Sequence, residues 1–147
     1  MIRAPEPGDR AAWTELWKAY LAFYETVLPD EVHASTWSRL LDPAEPTWCA
    51  LALQDGAPVG LVHWIFHRTN WSIADTCYLQ DLFVAPSARG HGHARKLIEH
   101  VTTQAAAAAS GRVYWLTHES NTTAMALYDR LASRSGFLQY RLALPPR

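Results

Sequence analysis

The stretch Leu82-Phe83-Val84-Ala85-Pro86-Ser87-Ala88-Arg89-Gly90-His91-Gly92-His93-Ala94-Arg95 decides how this chain reads. An apolar strand stops at a proline, passes an arginine and two glycines, and enters an amphipathic helix. Backbone N–H groups converge at a turn of this kind, and the helix dipole favours negative charge there. The stretch therefore predicts a grip on a phosphate-bearing ligand. Two phosphate motifs do not fit. A dinucleotide fold wants G-x-G-x-x-G, but Arg95 stands where the third glycine belongs, and no P-loop Gly-Lys-Ser/Thr is present. What remains is Arg-x-x-Gly-x-Ala after a strand ending in Val-x-Pro.

Working outward, three strands precede the turn: Thr47 to Leu53, closed by Gln54-Asp55-Gly56-Ala57; Val59 to His67; and Asp75 to Val84 after a polar loop around Asn70. The third is apolar at both parities, as suits a central strand covered on both faces. At the N-terminus, Ile2 to Ala4 reads as a short strand. Asp9 then caps a helix carrying Trp13, Leu16, Trp17, Tyr20, Leu21 and Tyr24 on one face until Pro29. A second helix covers about His33 to Leu41 and stops at Asp42-Pro43. Beyond the turn, Ala94, Leu97, Ile98 and Val101 mark the inward face of a helix that Ala105 to Ala109 extends. Arg112 to Thr117 reads as a strand, Asn121 caps a helix to about Ser133, and Gly136-Phe137 opens a last strand to Leu144. Strands alternating with helices and hairpins predict an α/β sandwich.

Bulk properties set the outer bounds. At 147 residues the simplest reading is one domain. A net charge of −1 gives no electrostatic footprint for nucleic acid or an anionic membrane. No apolar run approaches the ~20 residues of a membrane span, and no secretory h-region follows Met1. Cys49 and Cys77 lie in apolar runs without metal spacing, and read as reduced core thiols of a cytoplasmic protein.

Val84-x-Pro86-x-x-Arg89-Gly90-x-Gly92-x-Ala94 resembles the acetyl-CoA pyrophosphate loop of the GNAT N-acetyltransferase superfamily. Asn121-x-x-Ala124-x-x-Leu127-Tyr128 resembles the family's second signature, in the expected order and place. The resemblance runs from Ile2 to Leu144. Tyr78 to Val84 and Tyr114 to Asn121 look closest to the yeast histone/polyamine-type and the spermidine/spermine acetyltransferases. It implies a GNAT-like acyl-CoA N-acyltransferase fold, with a mixed central sheet of six to seven strands flanked by about four helices, over a single domain 1–147. It also implies an enzyme that moves acetyl from acetyl-CoA to a primary amine of a small cationic or amino-acid-like acceptor, by direct attack in a ternary complex. Two alternatives stay open: a protein or peptide lysine acetyltransferase, and a non-catalytic CoA-binding sensor. A homodimer is a further implication of the resemblance.

The resemblance also implies site residues. Main-chain groups of Leu82, Phe83 and Val84 meet the pantetheine arm, and N–H groups from Gly90 through His91, Gly92, His93 and Ala94 to Arg95 meet the diphosphate. Arg89, Arg95 or Lys96 reach the outer phosphates, and Asn121, Ala124 and Tyr128 carry the second signature. Tyr128 is the candidate general acid for the leaving thiolate, since a phenol near pKa 10 delivers a proton to a thiolate near 8.5 at modest cost. The base is open between Asp81, a carboxylate inside an apolar strand, Glu119 and solvent. Spermidine/spermine acetyltransferases carry a glutamate just before the position of Asp81, where this chain has Gln80. The stretch Asp129 to Ser135 is longer than the family's usual turn, and either extends the helix or forms a loop.

The weaker constellations are aromatic and imidazole. His91 and His93 flank Gly92, and are placed beside the diphosphate. His63 and His67 share strand parity, but no third or fourth ligand makes a metal site of either pair. Trp37, Trp64 and Trp71, with Tyr20 and Tyr24, are core residues or the lining of an acceptor groove that stacks on a cationic amine.

Overall fold

The computed structural model describes residues 1–147, and the chain divides into two compact units, Met1–Leu116 and Thr117–Arg147. The first unit is built on one five-stranded sheet in the order β1-β2-β3-β4-β5. Its strands are β1 (Ile2–Arg3), β2 (Thr47–Gln54), β3 (Ala57–His67), β4 (Thr76–Val84) and β5 (Arg112–Tyr114). The first four run antiparallel to their neighbours, and β5 joins β4 in parallel. Asp55-Gly56 closes the β2–β3 hairpin with positive φ at both residues, the turn whose twist matches its strands.

Helices α1 (Arg10–Phe23) and α2 (Asp30–Leu41) cover one face of the sheet. Trp13, Leu16, Trp17 and Leu21 of α1 meet Trp37 and Leu40 of α2 over Cys49, Leu51, Leu53, Leu61 and Phe83. Helix α3 (His93–Ala107) covers the other face, burying Leu97, Ile98, Val101 and Ala105. Asp9 does not cap α1 with its side chain. It ends a 3-10 turn over Pro7–Asp9, where its carboxylate accepts from the Glu6 N–H and from both terminal nitrogens of Arg3.

One irregularity governs which face each β4 side chain meets. His63 pairs with Asp81, but Trp64 pairs with Leu79, so Gln80 is an extra residue in β4. A bulge of this kind reverses the strand's alternation. Leu79, opposite Trp64, lies on the α3 side, where Trp64 meets His100. Asp81 and Phe83, opposite His63 and Leu61, lie on the α1 side. The double apolar parity of this strand thus has two causes, coverage on both faces and a switch of face midway.

The second unit contains one helix, α4 (Thr122–Leu131). Asn121 occupies its N-cap position, but makes no side-chain capping bond. The helix takes up the start of the long stretch after Tyr128, and Arg134 folds back onto Asp129 in a two-pronged pair of 3.0 and 2.8 Å. The sheet has five strands rather than six or seven, and Gly136 to Leu144 forms no strand. A strand needs a ladder of backbone partners, and this segment has none, which leaves Phe137, Leu138, Tyr140, Leu142 and Leu144 exposed. No helix is long and apolar enough to cross a membrane.

Gly60 faces Val84, and a Cβ there would stand 2.9 Å from the Phe83 carbonyl oxygen and 3.3 Å from the Val84 side chain. Backbone on one side cannot yield as a side chain does. Gly60→Ala is therefore expected to destabilise the fold by about 1–3 kcal/mol, read as a lower denaturant midpoint with unchanged slope.

Candidate active site

Strand β4 has a neighbour on its β5 side only at Thr76, Cys77 and Tyr78. From Leu79 to Val84 that edge of β4 is open, so a row of main-chain N–H and C=O groups lacks ladder partners in a buried strand. The row ends at the glycine turn. Gly90 and Gly92 both have positive φ (83° and 77°), and nothing lies within 4 Å of a Cβ built on either. The two positions thus demand glycine for their backbone angles, and they leave the main chain bare to an approaching ligand.

Gly92 is the N-cap of α3, and no side chain caps it. The helix's first intrahelical bond runs from Lys96 N–H to the Gly92 carbonyl. The N–H groups of Gly92, His93, Ala94 and Arg95 therefore have no helical acceptor. Together with the dipole, four such donors make a cradle that fits a diphosphate.

The basic and imidazole side chains around the turn are placed unevenly. Arg89 donates its Nε–H to the Val84 carbonyl at 3.1 Å and lies over the Phe83 ring, which ties the turn to the end of β4. Arg95 pairs with Glu99 on the exposed side of α3, and Lys96 is exposed. His91 is exposed and its Nδ1 donates to the carbonyls of Ala88 and Arg89. His93 instead turns inward, buried, and its Nε2 bonds Gln54 Oε1 at 2.9 Å. Burial, with Lys96 and His91 nearby, pushes its pKa down, so His93 is a neutral strut of the turn rather than a cation facing outward.

On the α1 face, Asp81 is the buried carboxylate, 8% exposed. Its Oδ2 accepts from His63 Nδ1 at 3.0 Å, and His63 Nε2 accepts from the Trp13 indole N–H at 3.0 Å. Tyr20 meets the same carboxylate. Burial first, then the charge and hydrogen bond of Asp81, push its phenol up, so that it stays protonated and donates. Around this group stand the rings of Trp17, Tyr24 and Phe83, with Tyr20 5.4 Å from Trp17, 5.2 Å from Tyr24 and 6.2 Å from Phe83.

Of the aromatic residues singled out from the sequence, Tyr20 and Tyr24 belong to this wall. Trp37 is core, packed 5.1 Å from Trp13. Trp64 is buried on the opposite face, and Trp71 is exposed in the β3–β4 loop. Sequence reasoning missed His63, Trp13, Trp17 and Phe83 as parts of one group. The available signal was His63 itself, a polar residue at the parity of Leu61 inside an apolar strand. In the second unit Glu119 is exposed, and Asn121, Ala124 and Tyr128 are half-buried at the start and on the length of α4. No group of three or more His, Cys, Asp or Glu is arranged to hold a metal ion.

An open strand edge running into a glycine turn and helix start is the architecture of a transferase fold that comparison with known proteins identifies. Residues 11–132 match the acetyltransferase (GNAT) family model. The D-amino-acid N-acetyltransferase HPA3 of Saccharomyces cerevisiae is 38% identical over 143 residues, 96% of this chain and 89% of that protein. Among solved structures, a probable acetyltransferase superposes with a TM-score of 0.86 at 21% identity, covering 100% of this chain and 99% of the other. The aminoglycoside N-acetyltransferase AAC(6')-Iy in complex with CoA superposes with a TM-score of 0.76 at 19% identity, covering 98% and 100%. Likeness at that identity speaks for the fold. The chain belongs to the acetyltransferase (GNAT) family of enzymes.

Neither cysteine is placed to act as a nucleophile. Burial pushes the Cys77 thiol up to about 11 and drives Cys49 higher still, and both are free and buried. Thiolate is the reactive form. A disulfide-exchange reagent at pH 8 is therefore expected to find no thiol in the native protein and two after denaturation.

Proposed function

We propose that the protein transfers acetyl from acetyl-CoA to the primary amine of a small amino-acid-like or cationic acceptor, by direct attack in a ternary complex. The observation that carries this reading is the open edge of β4 from Leu79 to Val84 ending at the uncapped turn of Gly90 and Gly92. Family membership supports acetyl transfer, and the relative named for D-amino acids supports an amino-acid acceptor. The reading takes chain 1–147 as one N-acetyltransferase domain.

Each residue then has a task. Main-chain groups of Leu82, Phe83 and Val84 bind the pantetheine arm, and an N–H there polarises the thioester carbonyl. N–H groups from Gly90 to Arg95, with His91 and His93 framing Gly92, bind the diphosphate, and Arg89 holds that turn on β4. Asn121, Ala124 and Tyr128, the family's second signature, are assigned to coenzyme binding by the resemblance alone. Asp81 takes a proton from the acceptor ammonium, so that nitrogen attacks as the free amine. Tyr128 gives its proton to the departing sulfur as the C–N bond forms and the C–S bond breaks. The aromatic wall of Tyr20, Trp17 and Phe83 beside Asp81 suits a cationic nitrogen. Glu119, exposed, is the second candidate base, working through water.

Two buried reduced thiols suit the cytoplasm, which we take as the protein's place. A homodimer belongs to the same proposal, since the exposed apolar run Phe137 to Leu144 is a surface that a second copy would cover.

The test is release of free thiol from acetyl-CoA across a panel of amino acids, polyamines and lysine peptides. Release with small amines is the expected result. Release with peptides alone would assign a lysine acetyltransferase, and binding without release from any amine would leave a CoA-binding module. Tyr128→Phe is expected to slow turnover about tenfold or more, while calorimetry finds its affinity for acetyl-CoA kept. A wild-type rate in that variant would remove Tyr128 from proton delivery.

A further inference from the structure

We infer that His63, fixed by Trp13, is a positioning residue that orients the Asp81 carboxylate for the acceptor amine. This rests on the reading of Asp81 as the proton acceptor.

The argument begins with the donor inventory. An indole nitrogen only donates, and the N–H of Trp13 points at His63 Nε2 from 3.0 Å. Nε2 must therefore carry the lone pair, which leaves the ring hydrogen on Nδ1, 3.0 Å from Asp81 Oδ2. The tautomer follows from the bonding, as a second ring's donor fixes it. The direction of the whole chain is then set: Trp13 donates to His63, and His63 donates to Asp81. Trp13, His63 and Asp81 are 0%, 3% and 8% exposed. A buried carboxylate without donors takes up a proton instead of remaining charged. Here the His63 N–H donates to the Asp81 carboxylate, and the Tyr20 phenol stands against it.

Three elements converge to make this group. The Gln80 bulge turns Asp81 to the α1 face directly opposite His63. Trp13, Trp17 and Tyr20 follow one another along one side of α1 at helical spacing, with neighbouring rings 6.1 and 5.4 Å apart. The first of them reaches His63 and the last reaches Asp81. The imidazole cannot gain a second proton without giving up the Trp13 bond. It therefore orients the carboxylate and does not carry protons itself.

The groups facing Asp81 are Tyr20 from α1, Tyr24 just past its end, Cys49 from β2 and His63 from β3, with Tyr78 of β4 beside Tyr20. Burial and the Asp81 charge push Tyr20, Tyr24 and Cys49 upward, so these three stay neutral near pH 7. Asp9, the other charge felt at Cys49, is already paired with Arg3.

The test compares pH profiles of kcat/KM for wild type, His63→Leu, His63→Asn and Trp13→Phe, with nitrogen NMR of His63. In wild type the single ring hydrogen is expected on Nδ1. His63→Leu should lower kcat/KM about tenfold and raise the acid limb by about one pH unit, because the carboxylate has lost a donor. His63→Asn keeps an N–H near the Nδ1 position, and should restore most of the rate and the limb. Trp13→Phe frees Nε2, so the imidazole should titrate and add a second ionisation to the profile. A folded His63→Leu variant with a wild-type limb, or a hydrogen found on Nε2, would overturn the inference. If His63→Leu does not fold, the NMR signal and the Trp13→Phe profile decide it. Asp81→Asn with wild-type kcat/KM would instead sink the reading of Asp81 as the base, a different failure.

Discussion

The parting of β4 from β5 after Tyr78 is the constraint on which the rest of this structure depends. Main-chain polar groups in a buried strand need partners, and for six residues, Leu79 to Val84, one edge of β4 finds none in the sheet. The strand runs straight from that open edge into the turn of Gly90 and Gly92 and the uncapped start of α3. Main-chain groups without ladder or helical partners are thereby gathered along a single line. On the proposed reading, a ligand with its own acceptors and donors completes the pairing, as a missing strand would.

The Gln80 bulge gives the same strand a second use. Before it, Cys77 and Leu79 serve the core under α3; after it, Asp81 and Phe83 face α1. A one-residue insertion thus moves a carboxylate from the packed helix face to the aromatic one. The backbone edge and the side-chain face of one short segment then present different chemistry within a few residues of each other. Arg89 links the two, since its Nε–H holds the Val84 carbonyl while its cation lies over Phe83.

Much of this was legible in the sequence, and the reasons differ by element. The strands from Thr47 to Val84 and the helices of unit one follow from apolar periodicity, and the Asp55-Gly56 hairpin from turn chemistry. The turn was legible because glycine at 90 and 92 is a backbone requirement that no other residue meets cheaply. The last strand was misread because Gly136 to Leu144 has strand composition, and composition cannot supply the ladder partner that makes a strand. The bulge was invisible for a related reason: apolar residues at both parities fit either two covered faces or a switch of face. The group of Trp13, His63 and Asp81 joins positions 50 and 18 residues apart, and no local pattern encodes such distances.

The cost of that group bears on why it is there. Removing a carboxylate from water costs several kcal/mol, and pairing inside the protein returns only part of it. Apolar residues of similar size at 63 and 81 would pack against Trp13, Trp17 and Phe83 with no such penalty. A core selected for stability alone has no use for a histidine whose two nitrogens are both engaged and an aspartate buried against it. The expense makes sense at a site where charge must be kept ready and still, since a carboxylate that is ordered beforehand does not spend an acceptor's binding energy on its own rearrangement. Stability given up on the α1 face is, in this account, the condition for a defined proton acceptor beside the open edge of β4.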